Sequence, residues 1–253
     1  MMTLVEQMLD SKSICVLTGA GVSKESGVPT FRDEDGLWNK FRPEELANVQ
    51  AFLSNPKLVW EWYDWRRKLM AEVSPNPGHK ALAELELLFT HFVLITQNVD
   101  NLHREAGSRD IIELHGNIRR NKCFDCHVVF ETDSSESNDE FTSGELPKCL
   151  VCGGRLRPDV VWFGENLPEE ALNRAWSESE RCDIFFSIGT SAVVYPAAAL
   201  PQVAKSSGAF LVEINPKPTE LSSLADIVFQ GASGEILPKI VAALKDNRRE
   251  EQP

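Results

Sequence analysis

Ile14-Cys15-Val16-Leu17-Thr18 runs straight into Gly19-Ala20-Gly21-Val22-Ser23, and this junction decides the fold. A short apolar run without alternation suits a strand buried on both faces, as in a parallel sheet. The two glycines permit a tight bend, and a helix opening there offers unpaired N–H groups to an anion. The dinucleotide fingerprint GxGxxG is broken, however, because Lys24 stands where its third glycine belongs. On its own, Gly-Ala-Gly reads equally well as a structural turn and as a cofactor turn. The segment Ser26-Gly27-Val28-Pro29-Thr30-Phe31-Arg32 follows, punctuated by Gly and Pro and ending in an aromatic and an arginine. That is the make-up of a loop that covers a ligand.

The same junction recurs along the chain. Phe92–Thr96 leads into Gln97-Asn98-Val99-Asp100, and Ile184–Ile188 into Gly189-Thr190-Ser191. Phe210–Ile214 leads into Asn215-Pro216, and Ile227–Phe229 into Gln230-Gly231. Helices are expected over Met1–Lys12, Gly78–Phe89, Pro168–Ser179, Pro196–Ser206 and Glu235–Leu244. Alternating strands and helices predict an α/β fold, with a parallel sheet covered by helices. Ligands of such sheets bind beyond the carboxyl ends of the strands, where these five polar exits gather.

The totals agree with this and exclude much else. The chain has 253 residues, 42% hydrophobic and 25% charged, with mean hydropathy −0.23. That length supports one large domain with room for an insertion, and the composition excludes collagen-like and disordered chains. The 26 basic against 38 acidic residues give a net charge of −12. Direct nucleic-acid binding is therefore not expected, whereas basic partners such as lysine-bearing protein tails are compatible. No apolar run is long enough to span a membrane. The first residues lack the basic and apolar regions of a signal peptide, so a cytoplasmic monomer with reduced thiols is expected.

Six cysteines then need a role other than disulfides. Cys15 and Cys182 read as buried thiols beside strands. Cys123-x2-Cys126 and Cys149-x2-Cys152 supply four thiolates, the set of a closed structural zinc site. Cys123-Phe124-Asp125-Cys126-His127 also matches a covalent haem attachment pattern, but that leaves the second pair idle and needs export. A redox dithiol is the other alternative, normally found at a strand-to-helix junction. Between the pairs lies an acidic, Ser-rich stretch, residues 131–145, read as a flexible loop.

Among the five histidines, His115 has the best context. It stands in Ile111-Ile112-Glu113-Leu114-His115-Gly116, at the seam between the sheet and the cysteine-rich insertion, where clefts form. A neutral imidazole there is a candidate general base. In Leu58–Met70, read as a helix, Leu58, Trp62, Trp65 and Leu69 share a face expected to be core. Tyr63 and Arg66 are neighbours on another face. A phenol beside a guanidinium makes a carboxylate receptor. The alternative, on residues alone, is that Arg66 pairs with a local glutamate while Tyr63 packs.

Taken together, these motifs resemble the sirtuins, NAD-dependent protein-lysine deacylases, over about residues 10–242. Pro158-Asp159-Val160-Val161-Trp162-Phe163-Gly164-Glu165 and Ile214-Asn215 complete the set. The resemblance implies a Rossmann-like NAD domain made of residues 1–38, 80–116 and 159–245. It implies a helical part of a small lobe over 39–79 with the acyl pocket, a zinc insertion over 117–158 and a flexible tail over 246–253. Gly19, Ala20 and Gly21 would begin an NAD-covering loop that continues through Thr30, Phe31, Arg32 and Trp38. Gln97, Asn98 and Asp100 would surround nicotinamide and its ribose. Gly189, Thr190, Ser191, Asn215, Pro216 and Lys217 would hold the rest of the dinucleotide, with Ser233 beside adenine. His115 and Asn98 would be catalytic, and Val161 and Phe163 would pair with the substrate backbone.

The chemistry so implied is attack of the acyl oxygen on the nicotinamide ribose, with His115 taking a proton from the ribose hydroxyls. The products are free lysine, nicotinamide and O-acyl-ADP-ribose; NAD is consumed, and one structural zinc is required. Tyr63-x-x-Arg66 matches the sirtuin class that prefers succinyl, malonyl and glutaryl lysines, so acyl-lysine proteins or peptides are the expected partners. Asp33 departs from the family pattern, where glycine is common. Mono-ADP-ribosyl transfer at the same site, or NAD sensing without turnover, are the alternatives.

Overall fold

The computed structural model describes residues 1–29, 46–131 and 146–250. Helix α1 (Met2–Asp10) buries Leu4, Val5 and Met8 and turns into strand β1 (Ser13–Thr18). β1 pairs in parallel with β2 (His91–Thr96) on one side and β7 (Ile184–Ile188) on the other. β3 (Ile111–Glu113) extends the sheet past β2, and β8 (Phe210–Asn215) and β9 (Ile227–Gln230) extend it past β7. The order is β3-β2-β1-β7-β8-β9. Alternate residues of each central strand enter different cores. Val16, Leu94, Phe186 and Val212 belong to one; Leu17, Val93, Phe185 and Leu211 belong to the other. Burial on both faces is why these runs show no alternation in sequence.

The short helices α2 (Ala20–Lys24) and α6 (Leu102–Glu105) follow β1 and β2. Helices α5 (Pro77–Glu86), α7 (Glu169–Arg181), α8 (Leu200–Ser206) and α9 (Ser233–Glu250) cover the sheet. A boundary at residues 79/80 cuts α5, which begins at Pro77 and packs along α9. Nor does the chain loosen after Leu244. The last turns of α9 are held against α5, where Lys245 pairs with Glu84. Arg248 donates to the Leu88 carbonyl at 2.6 Å and lies 4.9 Å from the Phe89 ring centre. Residues 246–250 are therefore helical where a solvated tail was expected, because charged side chains dock on carbonyl and ring.

A second sheet is antiparallel, in the order β5 (Val129–Glu131), β4 (Gly116–Cys123), β6 (Leu156–Val160). Helices α3 (Val49–Ser54) and α4 (Pro56–Ala71) pack with it around a third core. Asn48 and Asn55 cap the two helices by accepting from the Ala51 and Leu58 amides, and Pro56 occupies the first turn of α4.

α4 turns only half of its most apolar stripe inward, with Trp62 and Leu69 packed against the third core. Leu58 and Trp65, expected in the core, are 45% and 42% exposed. Val59, Trp60, Tyr63, Arg66 and Met70 are buried instead. The inward face meets Ile118, Val160 and Trp162, and it carries a phenol and a guanidinium because their polar ends reach a cavity. Among the described residues no helix is long and apolar enough to cross a membrane.

Candidate active site

From β1 the chain moves outward to β2 and β3, then returns to the other side of β1 to lay down β7, β8 and β9. The order thus reverses between β1 and β7, and a crevice opens beyond their carboxyl ends. The two loops there touch backbone to backbone. Gly19 N–H donates to the Ile188 carbonyl at 3.0 Å, and Gly21 N–H to the Gly189 carbonyl at 2.8 Å. A Cβ on Gly21 would sit 2.7 Å from that carbonyl oxygen, and Gly189 has φ of +60°. Only glycine fits this approach.

A cavity of about 820 Å³ fills the crevice. Gly19, Ala20, Gly21, Gln97, Asn98 and His115 line it, and so do Gly189, Thr190, Ser191, Asn215, Pro216 and Lys217. Tyr63, Arg66, Val161 and Phe163 line it as well. Asp100 and Ser233 do not. Asp100 is buried, accepting from the Ser23 hydroxyl at 2.6 Å and the Leu102 amide at 3.0 Å. Its burial raises the carboxyl's pKa above the ordinary value. Ser233 donates to Glu25, which also caps the start of α9 by accepting from the Gly234 amide. Thr30, Phe31, Arg32, Trp38 and the acidic positions from Asp33 to Asp35 lie outside the described residues, as does most of the 131–145 stretch.

His115 is held by its backbone and by one ring nitrogen. Its carbonyl accepts from the Val161 amide at 2.9 Å. The next residue, Gly116, has φ of +80°, and a Cβ there would lie 2.1 Å from the Asp159 carbonyl oxygen. Ring Nδ1 is 2.9 Å from the Gln97 carbonyl oxygen. A carbonyl only accepts, so Nδ1 carries the proton and Nε2 keeps its lone pair. Burial lowers the imidazole pKa, against a smaller upward pull from the Gln97 carbonyl. His115 is therefore neutral near pH 7 and equipped to take a proton.

Asn98 spends its amide N–H groups on the Gly19 carbonyl and on Ser23 Oγ, each at 3.1 Å. Gln97 donates to Thr190 Oγ1 at 3.1 Å, joining the β2 exit to the β7 exit. Beyond β8, Asn215 donates to the Lys217 carbonyl at 2.8 Å. Buried Glu213 steadies that loop by accepting from the hydroxyls of Thr219 and Ser222. Elsewhere on the cavity wall, Trp162 Nε1 donates to the Tyr63 hydroxyl at 3.0 Å. The Val161 and Phe163 amides are already committed to the His115 and Ala47 carbonyls, both at 2.9 Å.

The four sulfurs of Cys123, Cys126, Cys149 and Cys152 lie within 4.8 Å of one another. Two of the gaps measure 3.5 and 3.6 Å, close to the roughly 3.8 Å edge of a tetrahedron with ~2.3 Å zinc–sulfur bonds. Amide groups of Cys126, Val151 and Gly154 point at three of the sulfurs at 3.4 Å, as thiolates require. Four soft donors with no open position fit a structural zinc ion. Haem attachment would need only the first pair, and here both pairs converge.

Sequence reading passed over several residues that build the site. Ser23 stands in the quoted glycine motif, yet its role as the junction of Asn98, Asp100 and His79 depends on tertiary contacts. Trp162 sits in a quoted motif too, but its partner Tyr63 lies on a different element. Nothing in the local pattern of Tyr195 or Glu220 marks them as cavity residues.

This α/β crevice with a four-cysteine lobe defines a class of NAD-binding folds. The sequence pattern described as the Sir2 family matches residues 19–196, and the chain belongs to that family, the sirtuins. It is 52% identical over 241 residues to the NAD-dependent protein deacylase of Aquifex aeolicus, covering 94% of this chain and 98% of the relative. The Leptospira interrogans protein of the same name is 48% identical, with coverage of 93% and 94%. A solved Sir2 homologue in complex with NAD superposes with a TM-score of 0.89 at 48% identity, covering 98% of this chain and 94% of that one. A Sir2 protein bound to a myristoylated histone peptide gives 0.76 at 38% identity, over 98% and 97%.

Proposed function

We propose that this chain is an NAD-dependent protein-lysine deacylase of cytoplasmic proteins that prefers succinyl and malonyl groups and removes acetyl groups more slowly. The observation that carries the preference is that Tyr63 and Arg66 line the same cavity as His115 and Asn98. The relatives' names support the deacylase reading, and the NAD-bound neighbour supports the co-substrate. Residues 1–38, 80–116 and 159–245 would form the NAD-binding part and 39–79 the acyl-binding part, save that Pro77–His79 open α5 and go with the former.

When bound, NAD supplies an electrophilic ribose carbon and the hydroxyls that accept the acyl group. The Gly19–Gly21 and Gly189–Ser191 loops have the bare backbone that lets a dinucleotide come close. Asn98 and Gln97 orient the ribose end, and His115 receives the ribose proton at Nε2. Asp100 and Ser233 act from behind the cavity wall, steadying Ser23 and the start of α9. Val161 and Phe163 flank the peptide, whose backbone pairing falls to the carbonyl side of that segment.

The acyl end is where the substrate is chosen. Arg66 is buried and its guanidinium is desolvated, which lowers its pKa. A buried cation lining a cavity favours an anion there and penalises an apolar chain. The test is turnover of paired acetyl- and succinyl-lysine peptides by the zinc-loaded protein with saturating NAD. Succinyl removal should be faster and should yield O-succinyl-ADP-ribose. In Arg66→Met, kcat/KM for succinyl should fall by about two orders of magnitude relative to acetyl, matching a charge-assisted pair of ~3 kcal/mol. Equal loss of both activities would sink the receptor. So would faster acetyl removal by the unaltered protein, though deacylation itself would stand. Loss of neither acyl group would point instead to ADP-ribosyl transfer or sensing.

A further inference from the structure

We infer that Trp162 is a specificity-determining positioning residue: its indole N–H fixes the direction in which the Tyr63 hydroxyl donates. The inference rests on the reading of Tyr63 and Arg66 as a carboxylate receptor, and it identifies what makes that receptor one-way.

A phenol hydroxyl is ambivalent, since it can donate its proton or offer its oxygen lone pairs. A carboxylate only accepts, so a receptor must present the proton. Trp162 Nε1 donates to the Tyr63 oxygen at 3.0 Å, and an indole N–H can do nothing else. Arg66, likewise a donor only, stands beside the phenol, its guanidinium carbon 5.4 Å from the Tyr63 ring centre. One obligate donor occupies the oxygen and a cation stands beside it, so the hydroxyl proton is turned away from both. Both residues line the cavity, so a proton turned from the indole and the guanidinium is available to a group bound there.

Trp162 has been given no freedom to withdraw. The Arg157 guanidinium lies 3.3 Å from the centre of its indole ring and is itself buried. Arg157 forks onto both oxygens of Glu165 and donates to the Val160 carbonyl at 2.7 Å. Glu165 in turn accepts from the Trp162 backbone amide at 2.8 Å. A buried ion pair adds little net stability over apolar packing, but a fully hydrogen-bonded one fixes geometry. Here it clamps the backbone and ring of one residue, and the only polar atom of that ring points at Tyr63.

Trp162→Phe removes the indole N–H and keeps an aromatic ring over Arg157. The readout is the ratio of kcat/KM for succinyl- to acetyl-lysine peptide, which a loss of general packing would not move. In the zinc-loaded protein this ratio should drop roughly five- to tenfold, mainly through succinyl KM, as expected for a disordered hydrogen bond to a charged group. In a Tyr63→Phe background the same change should leave the ratio where Tyr63→Phe alone put it, because the group being aimed is gone. An unchanged ratio in Trp162→Phe, or additive effects in the double variant, would overturn the inference. If Trp162→Phe does not fold, Glu165→Gln carries the same test by loosening the clamp on the Trp162 amide. Failure of the receptor reading looks different: Tyr63→Phe and Arg66→Met would then leave the ratio untouched.

Discussion

His115 keeps a proton on the nitrogen facing the Gln97 carbonyl and a lone pair on the other, and burial holds its pKa below 6.5. The base is the neutral form, so activity is complete above that lowered pKa and is lost as pH falls through it. The acidic limb of kcat/KM should therefore lie below pH 6.5, and His115→Ala should slow both acyl substrates by about a hundredfold or more. A limb centred above pH 6.5 would mean that another group sets it. His115 was legible because it ends an apolar run at the edge of a cysteine-rich insertion. Ser23 and Trp162 were not legible, because each acts through a partner more than fifty residues away. Tyr63 and Arg66 fell between these cases. Their spacing makes them neighbours, but the face they share, which the apolar pattern sets apart from the core, is the inward one.

Elements met expectation where burial was two-sided and departed from it at their ends. Four central strands, and the half-buried edge strand β9, follow from apolar runs with polar exits; β3 does not, because Ile111-Ile112-Glu113 is too short to carry a period. α9 outran its apolar stripe because its last turns are fastened by Lys245 and Arg248. Between α5 and α6, a contact with no sequence signal brings together the rings of His79 and His103, tilted by 58° with centres 4.7 Å apart. Neither Nδ1 has a hydrogen-bond partner among the described residues. Burial lowers the His79 pKa to about 4 and His103 well below its usual value. Depressed histidines bind fewer protons folded than unfolded, so stability is complete above pH 6.5 and declines as pH falls. His79 alone should withdraw about 3 kcal/mol by pH 4. Urea unfolding between pH 7 and pH 4 should show this slope, and it should flatten in His79→Gln. Stability constant down to pH 5 would contradict it.

At the scale of the whole molecule, the cavity exists because two sheets with separate cores meet along one seam. Gly21 meets Gly189 on the six-stranded side of that seam, and Tyr63 meets Trp162 on the other. The sequence announced the larger sheet and the cysteine pairs, but not that these pairs belong to the same core as the acyl end. Cys123 and Cys149 pack in one cluster with Phe52, Trp60, Tyr63 and Trp162. Metal removal should therefore reach the substrate site although no cysteine lines it. A strong chelator should release about one zinc per chain. It should change the fluorescence of the small-lobe tryptophans and abolish turnover of both acyl peptides, while the helical circular dichroism of the larger sheet's layers largely persists. The parallel sheet can survive because its two cores contain none of the four cysteine ligands. Full activity after zinc is gone would break the link between the cysteine cluster and the Tyr63–Trp162 contact. Global unfolding on chelation would instead show that the six-stranded sheet depends on the metal as well.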